Sequence, residues 1–174
     1  MQFGIVKSGP VEDAFAVSAQ KLAKQLLKAD NDQRVEVLDI RGAVAKDLHR
    51  AFEEWYAQSK QTKCLKYLYS VSIIPDPAER GISSEQYFNL IERIEKTLGL
   101  SQQPRAVVRH VYHDDRENWH TVWSRIDSGK GVAINFSHDW KKLRRVAQEF
   151  ASDYGIASPP GLLTRFHDHA GAKA

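Results

Sequence analysis

Apolar residues recur along the chain at two different spacings, which separate predicted helices from predicted strands. A spacing of three to four residues is typical of a helix with one buried face, and it recurs at residues 11–29, 46–60, 84–98 and 139–154. Alternating or densely β-branched and aromatic stretches predict strands at residues 34–40, 67–74, 106–112, 119–126 and 132–135. Ser83 or Ser84 is placed to cap the third helix and Gly99 to end it.

The order of these elements predicts the fold class. Helix, strand, helix, strand, helix, hairpin and helix indicate an α+β fold, with α/β as the alternative, in which helices pack on a single, mainly antiparallel sheet. The polar residues 113–118 predict the hairpin loop. We expect residues 1–162 to form a single domain and residues 163–174 to be a disordered tail.

Composition narrows the class of protein. The chain has 174 residues, of which 42% are hydrophobic and 27% charged, and these ordinary values favour a globular domain over a disordered one. Cys64 is the single cysteine, so it has no partner for an internal disulfide. We find no apolar run of membrane-spanning length and no pattern typical of a signal peptide. The prediction is a cytoplasmic protein without a membrane segment.

The net charge of +3 is modest, and the distribution of charge along the chain is more informative about possible ligands than the total. The positive excess lies in residues 105–174 and is concentrated in four residues of the final predicted helix: Lys141, Lys142, Arg144 and Arg145. Such a cluster is either a solvated helix face or a set of phosphate contacts. We find no Gly-rich phosphate loop, no Gly-x-Ser-x-Gly elbow and no Cys-x-x-Cys pair, which argues against a nucleoside triphosphatase, a serine hydrolase and a zinc ribbon.

Histidines are concentrated in the predicted hairpin. If a three-residue loop at residues 114–116 closes it, His110 lies directly opposite His120, close enough for both rings to share a metal, with Asn118 diagonally adjacent on the same face. A register slip of one residue would instead turn His113 toward Asn118. From the residues alone, the competing interpretation is that these histidines lie on the surface of the hairpin and bind no metal.

The sequence around these histidines resembles a known motif. Residues 123–127 read Trp-Ser-Arg-Ile-Asp and follow His120 after two residues. This is similar to the third motif of the relaxases, or mobilisation nucleases, in which one histidine precedes a histidine–hydrophobic–histidine element on the neighbouring strand. The similarity extends over roughly residues 20–162, through the segments 35–42, 67–72, 84–100, 142–147 and 154–155.

The resemblance implies a relaxase-like fold and a DNA-nicking activity on single-stranded DNA at a plasmid transfer origin. It also implies a divalent metal, Mg²⁺ or Mn²⁺, held by His110, Asn118 and His120, with His113 as the alternative ligand. Accessory mobilisation proteins are the further partners it suggests. For DNA contacts we expect Arg109 and Arg125 together with the four basic residues of the last helix.

Two departures from the family pattern bear on catalysis. Asn118 stands where the family has the first histidine of its paired element. Relaxases attack DNA with an N-terminal tyrosine, or in some branches a histidine, whereas this chain has no tyrosine before Tyr56 and no histidine before His49. Tyr67 and Tyr69, which we expect on the same face of a strand, are candidate substitutes, and core packing is the other interpretation of both.

Three other functions therefore stay open beside a nicking relaxase. One is a relaxase-shaped protein that binds single-stranded DNA and has lost strand cleavage. Another is a small metal-dependent nuclease that uses water as its nucleophile. The last is a plain interaction domain.

Overall fold

The computed structural model describes residues 4–10, 16–29, 33–75 and 81–156. Within these ranges the chain forms eleven elements, in this order: β1 (Gly4–Pro10), α1 (Ala16–Leu26), β2 (Gln33–Arg41), α2 (Leu48–Ser59), β3 (Leu68–Ile74), α3 (Ser84–Leu98), β4 (Arg105–Tyr112), β5 (Glu117–Ser124), β6 (Ile126–Asp127), β7 (Val132–Ala133) and α4 (Asp139–Asp153). The predicted tail at residues 163–174 lies outside the described residues.

The described strands build one large sheet and one small one. The large sheet has five strands in the order β1-β3-β5-β4-β2, and every neighbouring pair is antiparallel. β6 and β7 form a separate two-stranded sheet. The expectation of an α+β fold with helices on an antiparallel sheet is confirmed.

Each face of the large sheet is covered by one pair of helices. On one face, α1 and α2 bury a core that includes Ala23, Phe52 and Trp55 against Val108 and Val122. On the other face, α3 and α4 bury a second core in which Trp119 and Trp123 are fully covered. Because side chains alternate along a strand, neighbouring residues of β3, β4 and β5 enter different cores.

Local signals in the sequence explain where the helices begin and end. Ser83 caps α3 by a capping box with Gln86, and Gly99 ends that helix in the left-handed conformation with φ of 74°. The side chain of Asp47 accepts from the amide of Arg50 at the start of α2. None of the described helices is both long and apolar enough to cross a membrane.

A buried carboxylate ties α3 to three strands. Glu95 Oε1 accepts from Arg41 Nη2 at 2.9 Å, Arg105 Nη1 at 3.1 Å and Trp123 Nε1 at 2.8 Å. Arg105 also binds Asp39 Oδ2 at 2.7 Å. A carboxylate removed from water is costly unless it is paired and hydrogen-bonded, and this one has three donors.

Candidate functional site

The β4–β5 hairpin sets the register of the histidines, and that register differs from the predicted one. Its turn comprises residues 113–115, closed by hydrogen bonds from Asp115 N to Tyr112 O and from Tyr112 N to Arg116 O, both near 3 Å. Asp115 takes φ of 61°, the left-handed conformation that ends many three-residue hairpin loops. The loop thus has the expected length but lies one residue earlier than residues 114–116.

Moving the loop by one residue moves every cross-strand partner by two. His110 therefore lies opposite Asn118, and His120 lies opposite Val108, so the prediction that His110 directly faces His120 is wrong. A shift of two residues keeps each side chain on its original face. His110, Asn118 and His120 consequently remain together, and the two imidazole ring centroids are 4.9 Å apart.

His110 is held by the protein through both ring nitrogens. Its Nε2 is 2.7 Å from the carbonyl oxygen of Leu26, at the end of α1, and its Nδ1 is 3.2 Å from the side-chain oxygen of Gln33. Because a carbonyl oxygen only accepts, Nε2 carries the proton of the first contact. His110 is 8% exposed, which makes it part of the buried structure at the junction of β4 and α1.

His120 is neutral at ordinary pH. Burial, and to a smaller extent the neighbouring His110, lower the pKa of His120 from 6.5 to about 4. Its Nδ1 is 2.8 Å from the hydroxyl oxygen of Ser72 on β3. No hydrogen bond to its Nε2 occurs among the described residues.

Asn118 is engaged with a tyrosine that sequence reasoning missed. Its Nδ2 donates to the hydroxyl oxygen of Tyr112 at 2.9 Å, and Tyr112 is partly exposed at the end of β4. The Arg116 guanidinium lies over the Tyr112 ring at 5.1 Å. The available signal was the two-residue spacing from His110, which places Tyr112 on the same sheet face.

The predicted metal ligands do not fit a divalent ion as they are arranged. A metal ligand needs an available lone pair. The Nε2 of His110 has none, because it carries the proton donated to Leu26 O, and the side-chain oxygen of Gln33 lies 3.2 Å from Nδ1, on the side where an ion would have to bind. The described part of the chain also brings together no group of three or more His, Cys, Asp or Glu side chains suited to a metal. His113 lies in the exposed turn rather than beside the histidine pair.

Tyr67 and Tyr69 are buried in different cores, so the expectation that they share a strand face is wrong. Tyr67 precedes β3 and belongs to the α1–α2 side, whereas Tyr69 belongs to the α3–α4 side and its hydroxyl is 3.1 Å from Asp139 Oδ2. Burial raises the pKa of both hydroxyls. A buried phenol with a raised pKa is a poor nucleophile, and the structure gives these side chains packing roles.

The two arginines predicted to contact DNA are bound within the protein. Arg109 pairs with Glu36 and with Glu117, and its hydrogen bond holds the pKa of Glu36 below the usual value. Arg125 donates twice to the carbonyl oxygen of Ile134. Their guanidinium groups already have acceptors, which leaves less capacity for a phosphate.

The four basic residues of α4 lie on the other side of the sheet from the histidines. Lys141 and Arg145 are exposed, and Lys142 and Arg144 are partly buried. Since α4 covers the face that holds Trp119 and Trp123, its basic surface and the histidine pair are separated by the sheet. These lysines and arginines therefore form a second surface rather than part of the histidine site.

Comparison with known proteins identifies the family of the chain. Searches of curated proteins and of solved structures found no match. The family model described as "Relaxase: MobA/VirD2-like, nuclease domain" matches residues 20–156, which is more than half of the chain. The matched segment contains the β4–β5 hairpin with its histidines, and α4. The chain therefore belongs to the MobA/VirD2-like relaxase nuclease-domain family.

Proposed function

We propose that this domain binds single-stranded DNA without cleaving it, as a relaxase relative in which the nicking centre is not assembled. Family membership supports the DNA ligand. The observation that carries the loss of cleavage is His110, whose Nε2 donates to the carbonyl oxygen of Leu26 while the side chain of Gln33 lies 3.2 Å from its Nδ1. Relaxase nuclease domains are typically metal-dependent. A histidine that is held within the protein instead of binding the metal therefore removes a group that nicking would need.

The positions of the tyrosines that were predicted as nucleophiles support the same proposal. A phosphodiester is cut through a covalent intermediate only if an accessible side chain attacks phosphorus. The segment before Tyr56 contains no tyrosine, and Tyr67 and Tyr69 are at most 3% exposed. Neither of these two tyrosines can therefore reach a DNA strand that is bound at the protein surface.

The test combines binding and cleavage on the same DNA. Labelled single-stranded oligonucleotides and their duplexes are titrated with protein in EDTA and again in Mn²⁺, with anisotropy reporting binding and denaturing gels reporting products. We expect single strands to bind in preference to duplex, with equal affinity in EDTA and Mn²⁺, and to remain uncut. Mn²⁺-dependent scission, or a protein–DNA adduct that survives denaturation, would overturn the loss of cleavage.

A metal-dependent nicking relaxase is the second candidate, and Tyr112 is the observation that favours it. This residue is partly exposed, and its hydroxyl oxygen accepts a hydrogen bond from Asn118, directly beside the histidine pair. In this reaction the phenol oxygen would attack phosphorus, its proton would pass to water, and the bond from phosphorus to the 3′ oxygen would break as that oxygen takes a proton. A 5′-phosphotyrosine would result.

Tyr112→Phe separates the two candidates. The substitution removes the hydroxyl and keeps the ring that packs under Arg116. A nicking enzyme that uses Tyr112 would lose its covalent adduct and keep its DNA affinity, whereas the binding function predicts no adduct in either protein. A plasmid transfer origin, Mg²⁺ or Mn²⁺ as the ion, accessory mobilisation proteins and a cytoplasmic location stay predictions that go with relaxase action.

A further inference from the structure

Trp140 is an exposed aromatic ring surrounded by positive charge. It is 40% exposed, whereas Trp55, Trp119 and Trp123 are fully buried. Lys141 Nζ lies 5.4 Å and Arg144 Cζ lies 5.6 Å from the centre of the Trp140 ring system. An exposed indole beside two cations joins a stacking surface to positive charge, which is the combination that proteins use to bind single-stranded nucleic acid.

The surrounding helix is built to present charge on one side. α4 packs Leu143, Val146, Ala147 and Phe150 into the core between the sheet and α3, whereas Trp140, Lys141 and Arg145 are exposed. Trp140 and Arg144 are four residues apart, as are Lys141 and Arg145, so these four side chains form one stripe. We call these four residues the α4 stripe.

Acidic residues offset little of this charge. Asp139 is buried and accepts from the Tyr69 hydroxyl, so its carboxylate points into the core. Glu149 lies 3.6 Å from Arg145, and both of those side chains are well exposed, so water screens the pair. Arg144 Nε is buried and has no hydrogen-bond partner among the described residues. The stripe therefore keeps positive charge available to an anionic ligand.

We infer that the α4 stripe is a base-stacking site for single-stranded DNA, with Trp140 as the platform and Lys141 and Arg144 as phosphate contacts. A base stacks on an indole, and cations at the ring edge neutralise the phosphates on either side of that base. Bases in a duplex are already stacked on each other, so the site selects single strands. The inference rests on the proposed DNA-binding function and assigns it a location.

This location is separated from the histidine pair by the thickness of the sheet. α4 packs on the face that holds Tyr69 and Trp123, whereas His110 and His120 face α1 and α2. A strand bound at the stripe therefore contacts the domain independently of His110 and His120. Substitutions at the two places should then have separable effects on DNA affinity.

The experiment uses the exposure of Trp140 as its reporter. Oligo-dT is titrated into the wild type, Trp140→Phe and Trp140→Ala, with intrinsic tryptophan fluorescence and anisotropy followed in parallel. Since the other three tryptophans are buried, we expect DNA to quench the wild type and not Trp140→Phe, which should still bind. Trp140→Ala should bind about tenfold more weakly, and Leu65→Ala, at an exposed apolar residue elsewhere, should bind like the wild type.

Charge is tested by salt dependence. The double variant Lys141→Ala, Arg144→Ala should lower the slope of log affinity against log salt by about 1.4, at roughly 0.7 for each phosphate that is no longer neutralised. Unchanged affinity and quenching in Trp140→Ala, with its circular dichroism intact, would overturn the inference while leaving DNA binding in place. A wild type that binds no single-stranded DNA would overturn both this inference and the proposed function.

Discussion

The His110 ring donates a hydrogen bond from Nε2 to the carbonyl oxygen of Leu26, which joins the middle of the sheet to the end of α1. This carbonyl belongs to the last turn of a helix, where main-chain oxygens lack partners within the helix. His110 thus acts as a cap from a distant strand. The sequence predicted that His110 binds a metal, whereas in this structure its ring joins β4 to the end of α1.

Replacement of His110 by Leu should therefore destabilise the domain. The variant removes a buried donor and leaves the Leu26 oxygen without it, which costs about 2 kcal/mol of unfolding free energy. Urea denaturation followed by circular dichroism measures the change. His113→Ala is the matched control, because His113 is exposed in the adjacent turn and should change stability by less than about 0.5 kcal/mol. Equal stability of both variants would contradict the capping role.

Stability should fall as the pH is lowered from 6.5 toward 4, because of His120. Burial lowers the pKa of His120 to about 4 in the folded state, whereas the unfolded chain protonates it near 6.5. Between these values the unfolded state binds the proton, so stability is full above pH 6.5 and is lost as the pH falls through this window. The loss approaches about 3 kcal/mol if the whole shift is expressed.

The pH effect is measured as the denaturation midpoint against pH. His120→Gln removes the titrating group and should flatten the curve between pH 6.5 and 4. A slope that persists unchanged in His120→Gln would assign the effect to other groups.

Glu95→Gln should be far more damaging than the same substitution on the surface. The amide would keep an oxygen for Trp123 but would leave Arg41 and Arg105 without the carboxylate that both contact. We expect a loss of about 3 kcal/mol in unfolding free energy. Glu149→Gln breaks only an exposed pair with Arg145 and should cost less than about 0.5 kcal/mol. Similar losses in the two variants would show that the buried position of Glu95 adds nothing to its contribution.

The sequence predicted most of the fold because its periodic segments were strong. The apolar stripe and caps of α3 fixed that helix to within one residue. β1 was missed because Gly4–Pro10 carries two glycines and a proline and shows no clear alternation. Its place in the sheet comes from backbone pairing with β3, including an irregularity between Lys7 and Gly9. Such pairing depends on the partner strand and cannot be read from the segment itself.

The sequence predicted only part of the candidate site, because the cross-strand partners and the distant contacts of its residues depend on other segments of the chain. The alternation of side chains along the two strands predicted that His110, Asn118 and His120 share one face of the sheet, and the register of the structure places them there. The exact partners depended on whether the turn began at His113 or Asp114, and both choices satisfy the polar pattern. The contacts of His110 with Leu26 and Gln33 come from segments more than 70 residues earlier in the chain, and no local pattern reveals them.

Asn118→His should create a metal site that the wild type lacks. Asn118 shares a sheet face with His120, whose Nε2 has no hydrogen-bond partner among the described residues, and the substitution would add a second imidazole there. Imidazole is a better ligand than a carboxamide for Mn²⁺ and Zn²⁺, so we expect metal affinity to rise at least about tenfold. Calorimetric titration of both ions into the wild type and the variant measures this.

The cost of Asn118→His to the fold should be small, because Asn118 is partly exposed and its hydrogen bond to Tyr112 is near the surface. Adding His120→Gln to the variant is the control, since it removes the second ligand and should abolish the gain. Cleavage of DNA need not follow from the gain, because Tyr67 and Tyr69 are buried and a role for Tyr112 as nucleophile is a separate question that Tyr112→Phe tests. If the variant folds normally and binds neither ion more tightly than the wild type, this face does not hold a metal even when the family's histidine is restored.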